Sequence, residues 1–355
     1  MSHGRSLLVL ACLVGGACSG AERPALLEPG APTPTPGFVG DPVIRPEDGA
    51  ADPAVDPAVD GEPPAAMPAP PPLTWGPETP DGGASPRPTR DPEVLAALLV
   101  EAEKTIRNPT AAASDIADQA HVQQVIYRQW AYEPGWDDAV FTRVPAELRS
   151  AVEANLAARR FFLQMRSGVG IADSLPAWEI IEPESAADLL AHYQEAEATT
   201  GIEWEYLAAI NLVETGMGRI RGLSTAGAQG PMQFIPTTWD EVGEGDVNDP
   251  HDAIQAAARY LVRRGGPGNM NQALFGYNND QLYVDAVAAY AGVLREDPAA
   301  FAGFYNWEIY FFTVQGDVWL PVGYRSTEPI ALEDYLASSP WSVPADGWYQ
   351  PDIGD

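Results

Sequence analysis

Residues 21–90 contain 19 of the chain's 35 prolines, among them the tandem DPAVDPAVD and the run PAPPP. Proline has no backbone N–H to give a helix or sheet ladder, and its ring fixes φ at about −65°. The stretch also holds few large apolar side chains, so it cannot offset the entropy lost on ordering. Residues 19–90 are therefore predicted to form a disordered, Pro-rich acidic linker, partly of polyproline type. The fold must be built from residues 91–355, enough for one large domain or two.

The N-terminus carries Arg5, the apolar run Leu7–Val14 and then small residues up to Cys18. Eight apolar residues are too few for a bilayer core of about 30 Å, so residues 1–18 read as an export signal. The string V-G-G-A-C resembles a bacterial lipobox, with Gly15 where leucine is usual. This resemblance implies lipidation of Cys18, with the linker as a tether behind it. Cys12 would leave with the signal, so no intramolecular disulfide is expected, and stability must come from core packing. The formal charge of −30 and the single lysine, Lys104, exclude nucleic acid as a partner. No later stretch reaches the roughly 18–20 apolar residues of a spanning helix.

After residue 90 the periodicity is helical. DPEVLAALLVEAEKTIRN begins with Asp91 as N-cap and Pro92 in the first turn. VPAELRSAVEANLAARRFFLQM follows the same plan, and ESAADLLAHYQEAEATTG pairs Ser185 with Asp188 and ends on Gly201. IEWEYLAAINLVETG closes on Gly216; NDPHDAIQAAARYLVRRGG opens on Asp249 and stops at Gly265. QLYVDAVAAYAGVL is one more helix, and NWEIYFFTVQGDVWLPVGY turns to aromatic and β-branched residues, which predicts a short hairpin around QGD. The expected class is mainly α, with a helical region over 91–185, a second helical domain over 186–297 and a hairpin-bearing extension over 298–355.

One acid stands apart. In a helix from about Glu203 to Thr215, Leu207, Ile210 and Glu214 share a face. Glu214 thus continues an apolar stripe into the last turn, where the helix dipole disfavours negative charge. Burial and dipole both favour the neutral acid, the form that general acid catalysis on a glycosidic oxygen requires. The next residues, Gly216, Gly218, Gly222, Gly227 and Gly230, permit close backbone approach. The loop feeds into PMQF, where Met232 and Gln233 supply one apolar and one amide group; LFGYNND places Tyr277 and Asn278 in a predicted loop between two helices. Such a mixture suits sugar rings.

The string E-T-G…S-T-A-G-A-Q-G-P-M-Q-F-I-P-T-T-W, with Y-N about forty residues later, resembles the lytic transglycosylases of the SLT type. The resemblance covers roughly residues 186–297 and implies a lysozyme-like (goose-type) catalytic domain. It implies Glu214 as catalytic acid and base, and Ser224, Gln229, Met232, Gln233, Tyr277 and Asn278 as cleft residues, with Tyr277 close to the acid. Three positions depart from the pattern: Thr215 follows the acid in place of serine, Pro231 replaces leucine, and Asn279-Asp280 replaces A-G. The implied reaction is non-hydrolytic cleavage of the MurNAc-β-1,4-GlcNAc bond of peptidoglycan, closing a 1,6-anhydro ring on MurNAc. The implied setting is the cell envelope or periplasm, the implied partners are glycan strands and a membrane held by the Cys18 lipid, and a monomer is expected. A hydrolytic muramidase and a non-catalytic wall-binding lipoprotein are the alternatives.

No cofactor or metal is expected. DEVGEGDVNDPHD is rich in oxygen ligands but lacks the D-x-D-x-D-G calcium spacing, so Asp249 reads as a helix cap in a solvated loop. The four histidines, His3, His121, His192 and His251, show no zinc spacing. Trp239, Tyr260, Tyr283, Tyr305 and Trp307 read as core aromatics, leaving Tyr277 as the one aromatic expected beside the acid.

Overall fold

The computed structural model describes residues 74–87, 89–166 and 171–342. The expected signal over residues 1–18, Cys18 and the greater part of the expected 19–90 linker lie outside the described residues. Twelve α-helices are found among them: α1 Pro92–Ile106, α2 Ala113–Trp130, α3 Asp137–Phe141, α4 Ala146–Arg166, α5 Ala186–Thr200, α6 Trp204–Thr215, α7 Pro236–Val242, α8 Pro250–Arg263, α9 Met270–Tyr277, α10 Gln281–Glu296, α11 Phe301–Tyr305 and α12 Leu332–Ser338. The expected mainly α class holds.

Local chemistry sets the helix ends. The Asp91 carboxylate accepts from Glu93 N at 2.9 Å, and Pro92 opens α1. Ser185 Oγ accepts from Asp188 N at 3.1 Å to start α5, and Gly201, with φ of 76°, ends it. Asp249 caps α8 by accepting from Asp252 N at 3.1 Å. Each satisfies an N–H that the helix cannot satisfy itself.

Helix α6 is the central helix of residues 186–297. Every residue from Leu207 to Thr215 is buried, so the single apolar stripe inferred from the sequence is in fact a helix enclosed on all sides. Helix α10 packs against both α6 and α4, and α5 packs against α6 and α8. One large apolar cluster runs from Leu95 in α1 to Trp307.

The strands are short: β1 Ser174–Leu175, β2 Glu179–Ile180, β3 Ile220–Arg221, β4 Ile309–Thr313, β5 Gly316–Leu320 and β6 Ile330–Ala331. They pair antiparallel as β1–β6, β2–β3 and β4–β5. The β4–β5 hairpin turns between Thr313 and Gly316, and both strands are buried along their whole length. Leu175, Trp178, Ile180 and Ile220 pack on Ile309, Phe311, Val318 and Leu320 in a second apolar cluster.

Short elements such as α3, α7, α9, α11, α12 and strands β1, β2, β3 and β6 go beyond the sequence reading, and two further differences matter most. Helix α2 was not predicted, because Gln123, Gln124, Arg128 and Gln129 interrupt its apolar pattern and are nevertheless buried. Three of them meet the hairpin region: Gln124 Nε2 donates to Glu308 O at 2.8 Å, Trp307 Nε1 donates to Gln123 Oε1 at 2.9 Å, and Arg128 Nε donates to Asp317 Oδ2 at 2.7 Å, while Gln129 Nε2 donates to Thr89 O at 2.7 Å. The linker reading fails for its last residues. Trp75 and Pro86 form an antiparallel bridge, Gly76 N donates to Ser85 O at 2.8 Å, and the Ser85 hydroxyl lies 2.8 Å from Tyr310 Oη. Trp75 packs edge-on to His121 and against the large apolar cluster. No described helix is long and apolar enough to cross a membrane.

Candidate active site

Glu214 occupies the last turn of α6, followed by Gly216 at φ 59°. Glycine suits position 216 because its left-handed φ disfavours a side chain there, which would also crowd Ile309 Cδ1 of β4 at 2.5 Å. The Glu214 side chain is 1% exposed. Its Oε1 accepts a hydrogen bond from the Tyr283 hydroxyl at 2.9 Å, and its Oε2 has no hydrogen-bond partner among the described residues. Burial pushes the carboxyl up to about 8, against the opposing hydrogen bond from Tyr283. The neutral acid that the sequence implied is thus favoured, chiefly by desolvation. Burial and the adjacent Glu214 charge together hold the Tyr283 and Tyr277 hydroxyls well above the usual phenol range, so both stay donors.

Tyr283 is the aromatic residue that touches the acid, a correction to its reading as plain core. It lies on α10, and the packing of α10 on α6 brings it to Glu214. The signal available in the sequence was its place in the first turn of the helix after Y-N. Tyr277 lies near enough to feel the acid's charge, but its hydroxyl donates to Met232 O at 2.7 Å rather than to Glu214. LFGYNND is also not a loop throughout: Tyr277 completes α9, and Asn278 is the buried cap residue behind it. Edge-to-face contacts with Tyr260 and a tilted contact with Phe234 fix the Tyr277 ring.

The glycine loop is held by its own hydrogen bonds. Ser224 Oγ accepts from Ala228 N at 2.9 Å, closing a small loop. Gln229 and Phe234 pair through both backbone hydrogen bonds, at 3.0 and 2.9 Å, around a tight turn of Gly230, Pro231, Met232 and Gln233. Gly230 has φ of 76°, and a Cβ there would fall 1.9 Å from Val247 O. Gln233 itself has φ of 50°, and its Nε2 donates back to Gly230 O at 3.0 Å. Its buried Oε1, like Glu214 Oε2, has no partner among the described residues.

Helix α6 clamps that turn. Pro231 O accepts from Thr215 Oγ1 at 2.6 Å and from Asn211 Nδ2 at 2.8 Å, while Tyr193 Oη donates to Asn211 Oδ1 at 2.7 Å. Thr215, the departure next to the acid, thus keeps the hydroxyl function of serine. Glu214, Met232, Gln233 and Tyr277 are all buried, and Tyr277 links two of the others, bonding Met232 O and feeling the Glu214 charge. A surface groove does follow the glycine loop, lined by Gly218, Arg221, Gly222, Gly230, Pro231 and Asn248 among others, but Glu214 is not in its lining.

The acidic loop before α8 spends its carboxylates on backbone. Asp246 Oδ1 accepts from Asn248 N at 2.9 Å and Asp252 Oδ2 from Asp246 N at 2.9 Å, beside the Asp249 cap.

Comparison with known proteins places this geometry in context. Residues 192–296 match the family model described as "Transglycosylase SLT domain". The chain is 29% identical over 196 residues to "Membrane-bound lytic murein transglycosylase F" of Thiobacillus denitrificans. That alignment covers 52% of this chain and 40% of the relative, so the chain spans well under half of the relative's length. No solved structure matches the chain.

Proposed function

We propose that this chain, which carries an SLT transglycosylase domain over residues 192–296, is a peptidoglycan lytic transglycosylase with Glu214 as its acid and base. The observation that carries the reading is the state of that carboxyl group. It lies inside the SLT match, is buried, keeps its proton to about pH 8, and is steadied on one oxygen by Tyr283. The reading also accords with the printed name of the relative.

In the proposed reaction the protonated Glu214 gives its proton to the glycosidic oxygen as the C1–O bond of MurNAc breaks. The carboxylate so formed takes the proton of the MurNAc C6 hydroxyl, whose oxygen attacks C1 and closes the 1,6-anhydro ring. The proton returns to Glu214, no water is consumed, and no second carboxylate has to activate one. Tyr283 steadies the carboxylate form midway. Since Glu214 is 1% exposed, a glycan strand reaches it only when a covering segment moves. Met232, Gln233, Tyr277 and Asn278, with Ser224 and Gln229 further out on the loop, are the proposed substrate-side residues.

The cellular reading follows: a signal over residues 1–18, a lipid on Cys18, a spacer, and a catalytic domain acting on the wall from a membrane of the envelope. Purified sacculi incubated with the protein, followed by mass spectrometry of the released muropeptides, test the chemistry. Anhydro products, lighter by one water than hydrolytic ones, are expected, and Glu214→Gln should lower turnover by about 10²–10⁴-fold. Reducing-end products would instead identify a hydrolase, and unchanged turnover in the variant would remove Glu214 from the mechanism.

A further inference from the structure

Apart from the acid site, the fold gathers two histidines that are far apart in sequence. His192 and Glu195 lie one turn apart on α5, and His251 lies in the first turn of α8, which packs against α5. The two imidazole rings meet edge to face with centroids 5.1 Å apart. One possible ligand atom from each of His192, Glu195 and His251 lies within 4.8 Å of those of the other two. His251 Nε2 is 3.3 Å from Glu195 Oε2. Tetrahedral zinc with bonds of about 2.0–2.1 Å places neighbouring ligand atoms about 3.3 Å apart, so that pair already has the required spacing.

The surroundings match how proteins orient metal-bound imidazoles. His251 Nδ1 lies 3.2 Å from Asp252 Oδ1, and His192 Nε2 lies 3.2 Å from Glu184 Oε2. Each ring therefore has a carboxylate at one nitrogen, the arrangement that fixes a tautomer and strengthens the other nitrogen as a donor. Asp249 and Asp252 also cluster with His251, but their oxygens are committed to the α8 cap and the Asp246 turn. Glu195 has no such commitment among the described residues, and its side chain is 58% exposed, so an ion can enter from solvent.

We propose that His192, Glu195 and His251 form a binding site for a divalent transition-metal ion, with Glu184 and Asp252 as the carboxylates that hold the two rings. The mixed imidazole and carboxylate set suits Zn(II) and its neighbours better than calcium, which takes six to eight oxygens. Three protein ligands leave a position for water, and the ion would tie α5 to α8. The site departs from the metal-free expectation because zinc-ligand spacing is local in sequence, whereas these ligands are brought together by helix packing.

The test is calorimetric titration of the untagged full chain, stripped with a chelator, with Zn(II) alone as the probe. One ion per chain at micromolar affinity or better is expected. His192→Gln and His251→Gln, which keep most of the side-chain bulk, should each weaken binding at least tenfold with an unchanged far-ultraviolet spectrum. Glu214→Gln should bind zinc as the parent does. Zinc should also raise the melting temperature of the parent and not of the histidine variants. Absence of binding at micromolar zinc, or equal binding by parent and histidine variants, would overturn the site. Neither result bears on Glu214 chemistry, so the two proposals stand or fall separately.

Discussion

At Glu214 the same desolvation that suits an acid catalyst acts against the folded state. Its folded pKa of about 8 lies above the ordinary glutamate value of 4.5. Between those values the folded chain holds a proton that the unfolded chain releases, so stability falls as pH rises through this window and levels off above about 8. The full shift corresponds to a cost on the order of 5 kcal/mol for the ionised side chain. Glu214→Gln removes the titration: thermal denaturation should find the variant close to the parent near pH 4.5 and more stable at pH 9. Tyr283→Phe acts the other way on catalysis. It deletes the one hydrogen bond that lowers the acid's pKa. The alkaline limb of the activity profile, expected near pH 8 in the parent, should move upward, while maximal turnover falls because the carboxylate intermediate loses its donor. A pH–rate series on soluble glycan fragments distinguishes this from simple loss of packing, which would lower the whole profile without moving the limb.

At the scale of elements, the α6 C-terminus and the turn of residues 230–233 behave as one unit. Thr215→Val removes a hydroxyl that both donates to Pro231 O and accepts from Gly218 N at 3.0 Å, leaving a half-buried N–H without its acceptor. A loss of about 1–3 kcal/mol by chemical denaturation is expected, with Thr215→Ser close to neutral. Gly230→Ala should cost at least as much, because positive φ and the approach of Val247 O both oppose a side chain. It should also lower activity by displacing Gln233. The ends of α1, α5, α6 and α8 were legible from Asp91, Ser185, Gly216 and Asp249, since caps act over three or four residues. Helix α2 and the end of α9 were not, because their signals are tertiary: buried glutamines that pair with residues near 308, and a Tyr277 hydroxyl that reaches Met232 O.

For the molecule as a whole, the N-terminal helices and the hairpin are joined by buried charge. Asp317 on β5 is held down at about 2: burial alone would raise it, but Arg128, Arg159 and Arg166 outweigh that cost. Arg128 makes the 2.7 Å contact from α2. A depressed pKa contributes stability that is present above the unfolded value of 3.8 and is lost as pH falls from there through about 2. Asp317→Asn should therefore destabilise the chain by about 3–5 kcal/mol at pH 7, since the arginines stay buried without their carboxylate. It should also flatten the acid side of the stability profile. Urea titrations at pH 3 and pH 7 measure both effects.

The acid, the glycine loop and the Y-N pair could be named from the chain alone, because each depends on residue type and short spacing. So could the helical character of residues 91–297, which follows from periodicity and capping. What the sequence left undetermined was which groups meet across those elements. Tyr283 rather than Tyr277 reaches Glu214, the acid is enclosed rather than open, and His192 finds His251. Each of these depends on how helices pack, and packing is set by the sum of many apolar contacts distributed along the whole chain, none of which leaves a local mark at the residues it brings together.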